Sequence, residues 1–153
     1  MEALDQLNFA RIYTLGRIKQ SDETKWDYQP KGFHNTIRWN VGHIYIQMEL
    51  LTQKAIPTYD LVYPEWVSFF IPGTSPEQWV TNPPSTQQLI HALEEQAPRI
   101  ISLLKEKLSG YLPEVIQIGT LHTMETVDAL VQFMVWHEGV HAGIIHSLNL
   151  ASE

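Results

Sequence analysis

The chain has 153 residues and no cysteine. That removes disulfides, thiolate metal ligands and a cysteine nucleophile together, so any thiol chemistry requires a thiol brought from outside. Basic residues are also few, ten Lys and Arg against 17 Asp and Glu for a formal net charge of -7, and they are scattered singly. Without a basic cluster the chain offers no footprint for a phosphate backbone, which argues against nucleic acid as a partner. No apolar run approaches the ~18 residues of a membrane span. The start, Met-Glu-Ala-Leu-Asp, has neither the basic residues nor the apolar stretch of a signal peptide. The expectation is a cytoplasmic protein that does not enter the membrane. At 44% hydrophobic and 18% charged residues the composition is that of a folded chain. The length suits a single domain over 1–153 with a sizeable core.

Sustained strand alternation is missing too, whereas four segments carry a helical period. From Leu4 to about Lys19, Leu4, Leu7, Ile12, Leu15 and Ile18 share one broad face while Asp5, Arg11 and Lys19 look outward. Ser21 to His34 is a connection with Trp26 and Tyr28 as packing residues, and Asn35 is placed to cap the next helix. That helix runs from Thr36 to about Gln53. One apolar stripe is Ile37, Val41, Ile44, Met48 and Leu51, and a second is Trp39, Ile46 and Leu50, with His43 lying in the second. Two stripes predict burial over most of the circumference.

Residues 54–84 lose the helical period and hold six prolines together with Tyr59, Tyr63, Trp66, Phe69, Phe70 and Trp79. A solvated linker would not carry that aromatic load, so the segment is expected to pack over the domain, as a strap closing the core or as a substrate lid. The third helix opens with a capping box from Ser85 to Gln88 and buries Leu89, Leu93, Ile100, Leu103 and Leu104. Pro98 is expected to kink or divide it, and Gly110 with Pro113 to end it. The fourth starts near Thr123, with Glu125 and Asp128 in its first turn, and reaches about Leu150. The fold class is all-α, a four-helix bundle with a long Pro-rich crossover between the second and third helices.

The last helix carries the chemistry. Val127, Leu130, Met134, His137, His141, Ile144 and Leu148 form one seam, so two imidazoles stand in an otherwise apolar row. A buried imidazole without partners costs about 1–3 kcal/mol, so both are hydrogen-bonded or bound to something. One turn apart, they suit two ligands of one metal ion, or two core histidines bonded to Tyr, Asn or backbone. The stretch His137-Glu138-Gly139-Val140-His141 also satisfies the H-E-x-x-H pattern of zinc peptidases. No later helix supplies the further ligand those enzymes take, and no strand aligns a peptide, so a peptidase is not expected. Glu138 is either a general base or ligand support beside a metal, or a residue of a solvated face. Gly139 and Gly143 suggest close approach of a neighbouring helix, or room for an exogenous ligand. Phe133, Met134 and Trp136 read as packing; His34, His91, His122 and His146 read as surface or boundary residues.

Trp39-Asn40-Val41-Gly42-His43-Ile44 on the second helix and His137-Glu138-Gly139-Val140-His141-Ala142-Gly143 on the last together resemble the DinB/YfiT-like family of metalloenzymes. Helix order, the Pro-rich crossover and the Pro-Pro-Ser start of the third helix extend the likeness over nearly the whole chain. The resemblance implies a metal, zinc or nickel, held by His43, His137 and His141. It also implies a homodimer, and for some members S-transfer or isomerisation with bacillithiol, mycothiol or a similar low-molecular-weight thiol. Ile144 departs from the Gln that many relatives have there, so no role is assigned to that position. The expectation is a metal-dependent enzyme acting on a small-molecule substrate. Glu138 and Asn40 support the site, Asn40 because it lies one turn before His43. The alternatives are a hydrolase using bound hydroxide and a non-catalytic metal-binding bundle.

Overall fold

Spacings of three and four along the first helix, α1 (Glu2–Gln20), bury Leu4, Leu7, Ala10, Arg11, Thr14 and Ile18. This computed structural model describes residues 1–152. Two expectations for α1 are overturned. Ile12 is 62% exposed and Arg11 is 2% exposed. The buried stripe follows the helical arc and not hydropathy, and Arg11 can lie on it because an acidic partner waits across the bundle.

The second helix, α2 (Ile37–Ala55), is capped by Thr36, whose hydroxyl accepts from the Trp39 amide at 3.2 Å. Asn35, expected in that role, instead buries a side-chain oxygen with no protein partner. Both apolar stripes of α2 pack inward, Leu50 only partly. Trp26 is buried, whereas Tyr28 is exposed.

The crossover is not a featureless loop. It contains a one-turn segment at Pro64–Trp66, a short helix α3 (Val67–Phe70) and another turn at Pro76–Gln78. Trp66 and Phe70 are buried against α2, and Tyr63 stacks on Trp66 at 4.2 Å. A Cβ on Gly42 would run into the Phe70 ring, so glycine is what lets the strap lie this close to the helix.

The next helix, α4 (Thr86–Leu104), begins with the Ser85–Gln88 capping box and passes through Pro98 without dividing. It ends at Leu104, well before Gly110, and Leu103 is exposed. Two strands then follow that the sequence period did not announce: β1 (Tyr111–Ile118) pairs antiparallel with β2 (His122–Thr126). Pro113 lies where the register shifts between Tyr111 and Ile116, which breaks the alternation a strand would otherwise show. The last helix, α5 (Val127–Ala151), therefore starts later than expected, capped by Thr126, with Asp128 in its first turn and Glu125 left in β2.

α5 packs on α1 and α2, and α4 closes the ring against both. Apolar residues form two clusters. One lies around Trp39, Tyr45, Trp66 and Phe70, the other around Leu7, Ile100, Met124 and Leu130. A polar layer separates them. Arg11 Nε donates to Glu138 at 2.6 Å, and Arg11 also donates to Gln96 and to the Leu93 carbonyl. Gln96 donates to the Tyr45 carbonyl and to Glu49, which in turn accepts from Arg99, Tyr59 and the Val62 amide. Each charge is thus paired and hydrogen-bonded, the condition under which burial is tolerated.

Removing one member leaves the other charged and unpaired. Arg11→Met is expected to lower the free energy of unfolding by about 3–5 kcal/mol, while Arg11→Met with Glu138→Leu recovers a large part of the loss. Urea denaturation of the two variants checks this; a loss below about 1 kcal/mol in the single variant would place the pair among weak surface bridges.

Candidate metal centre

Capping at Thr36 sets the rotation of α2, so that Trp39, Asn40 and His43 follow one another over a turn facing α5. On α5 the deepest seam runs through Val127, Leu130, Met134, Glu138, Ala142, Ile145 and Leu148. The expected seam is corrected at its centre. Glu138 takes the innermost place, and His137 and His141 lie half-buried at the edge, turned toward α2. His43, His137 and His141 meet there. Each has a ligand-type nitrogen within 4.8 Å of those of the other two, and their ring centroids are 4.5–5.0 Å apart.

Two of the rings have their protons assigned by their neighbours. His43 Nδ1 lies 2.7 Å from the Phe70 carbonyl, which can only accept, so Nδ1 carries the hydrogen and Nε2 keeps its lone pair. Asn40 Nδ2 donates to the Thr36 carbonyl at 2.8 Å, which turns its Oδ1 to accept from His141 Nδ1–H at 2.8 Å. The Nε2 lone pair of His141 is likewise left free. His43 Nε2 stands 3.1 Å from His137 Nε2. Two imidazole nitrogens each ~2.0–2.1 Å from a shared ion stand about 3–3.4 Å apart, so this separation suits a common metal. Trp39 stacks on His43 at 4.6 Å and is itself held by Thr74, and Phe133 lies nearly parallel to His137. An oriented ring with a carbonyl or amide behind it is the usual support of a histidine ligand.

The three imidazoles are uncharged at neutral pH. Burial holds His43 below its ordinary range, burial and then His43 push His137 down to about 4, and burial followed by His137 and His43 pushes His141 down to about 3. A neutral imidazole is the form that binds a cation.

Of the residues expected at the site, His43, Asn40, His137 and His141 are brought together. Glu138 is not among them. It is 1% exposed, with both carboxylate oxygens on Arg11, so the solvated-face reading is overturned, and it lies outside the histidine cluster. The H-E-x-x-H spacing therefore occurs without the peptidase arrangement of its acid. Gly139 and Gly143 face open space, which removes the close-packing explanation for them, and Trp136 is 60% exposed, not core. His34, His91 and His122 are exposed, and His146 is half-buried with Arg17 at 3.3 Å. The Phe70 carbonyl is the contributor that sequence did not reveal, since a main-chain acceptor has no residue signature; the aromatic crossover was the one hint.

A helical bundle with three converging histidines between its second and last long helices is the class that fold and site define. The family model of the DinB superfamily matches residues 6–145, and the chain belongs to that superfamily. No curated protein matches the chain. Among the described residues no helix is long and apolar enough to cross a membrane.

The unfolded chain protonates its histidines near 6.5, whereas the folded chain resists until about 4 at His137. Between those values the unfolded state binds more protons, so stability falls as pH is lowered and is level above 6.5. In chelator, the melting temperature is expected to be flat from pH 8 to 7 and to drop by several degrees toward pH 5. A smaller drop in His137→Asn with His141→Asn would assign the loss to these rings; an unchanged slope would assign it elsewhere.

Proposed function

We propose that the chain is a divalent-metal enzyme, loaded with zinc or nickel at His43, His137 and His141, that joins a low-molecular-weight thiol to a small electrophilic substrate. The observation that carries the reading is the convergence of three uncharged imidazoles, two of them with their outer nitrogens anchored so that the inner lone pairs are free. No carboxylate joins the cluster among the described residues, so the charge of a bound ion would stay uncompensated and room would remain beside it. Held there, a divalent ion supplies a Lewis acid that favours the deprotonated form of a thiol or of water.

The chain's own part is placement. Asn40 and the Phe70 carbonyl fix two rings, Trp39 and Phe133 flank the cluster, and His137 and His141 stay half-buried at its edge. With no cysteine in the chain, the thiol must come as a second substrate. Glu138 is committed to Arg11, so among the described residues no carboxylate of the cluster is free to act as a base.

Elemental analysis of untagged protein is expected to find close to one equivalent of zinc or nickel, and none in His43→Ala or His137→Ala. Asn40→Ala should weaken metal affinity about 10–100-fold through loss of ring orientation. Metal-free wild type that takes up no added ion would end the enzyme reading. Substrate consumption that proceeds at the same rate without added thiol would replace transfer by hydrolysis.

A further inference from the structure

We propose that the apolar groove between the β-hairpin and the start of α5 seats the apolar body of the substrate whose reacting end lies at the three histidines. The inference deepens the function proposed above and rests on it for the chemistry. The groove encloses about 410 Å³ between Ile118 and Leu121 of the hairpin and Ala129, Phe133 and Trp136 of α5. That volume is in the range of small-molecule sites, which are mostly apolar with a few polar groups. Here the polar groups are His122 and Gln132, on opposite walls.

Two features tie the groove to the histidine cluster. Phe133 forms part of its wall, and the same ring lies 6.3 Å from the His137 ring at 28°. One helical turn separates the two side chains, a rise of about 6 Å. An occupant packed on Phe133 thus touches the ring that lies against His137. Leu121 is 89% exposed and Trp136 stands out into solvent on the opposite rim, apolar surface that goes uncovered in a lone domain and is useful when something apolar lies between them. The lining holds no Asp, Glu, Lys or Arg, so the occupant is an uncharged aromatic or aliphatic body with its reactive group on an arm roughly one helical turn long.

The test uses the full chain and the uncharged fluorophore N-phenyl-1-naphthylamine. Wild type is expected to bind it and enhance its emission, with at least tenfold weaker binding in Ala129→Trp, which fills the groove. Leu121→Asp, at a position on the exposed rim, is expected to weaken binding several-fold without touching the fold. His43→Ala should lose metal and still bind the probe, which separates failure of the groove from failure of the metal reading. Histidine side-chain NMR should show the His137 resonances moving on probe addition while those of His34 and His91 stay in place. Equal affinity in wild type and Ala129→Trp, an unmoved His137, or binding that declines as protein concentration rises because a second copy covers the groove would each overturn the proposal.

Discussion

Burying Arg11 and Glu138 against each other fixes how α5 is turned about its own axis. Successive residues of a helix point about 100° apart, so an inward Glu138 directs the preceding residue sideways, and His137 is thereby aimed at α2. His141, one turn on, follows the same line. The pair continues through Gln96 to Glu49, and Glu49 holds Tyr59 and the Val62 amide of the crossover. One hydrogen-bonded layer thus joins α1, α5, α4 and α2 to the strap. Apolar packing alone tolerates sliding and rotation; a satisfied polar layer between two apolar clusters admits one register.

The strap has its own contact with the histidines. Phe70 closes the core with its ring and accepts a hydrogen bond from His43 Nδ1–H with its carbonyl, so one residue both closes the core and orients the His43 ring. The buried Trp66 and Phe70 bear out the core-closing strap for this segment. Its main chain, through the Phe70 carbonyl, is part of the histidine cluster's support.

Much of the bundle was legible in the sequence because periodicity and capping are local. The Ser85–Gln88 box, the two stripes of α2 and the His137–His141 pair depend on spacings within one helix. What escaped notice depended on partners distant in the chain. Arg11 read as a surface residue because hydropathy assigns arginine outward unless its acid is known, and that acid is 127 residues away. Glu138 was misplaced for the same reason. Thr36 and Asn35 are both good caps by type, and only the geometry of the turn selects between them. The hairpin was hidden by Pro113 and by a register shift that breaks its alternation. The family resemblance supplied His43 as the third member of the cluster, which periodicity alone had placed merely in an apolar stripe.

Gly139 and Gly143 face open space on the outer side of the stretch that carries the histidine pair. Each lowers helix propensity by about 1 kcal/mol relative to alanine, with no packing to offset it. The backbone there resists distortion less than the rest of α5, while Glu138 on the inner side stays locked to Arg11. The consequence is a histidine stretch held from one side only: its inner face is fixed by an ion pair to α1, and its outer face carries no packing at either glycine.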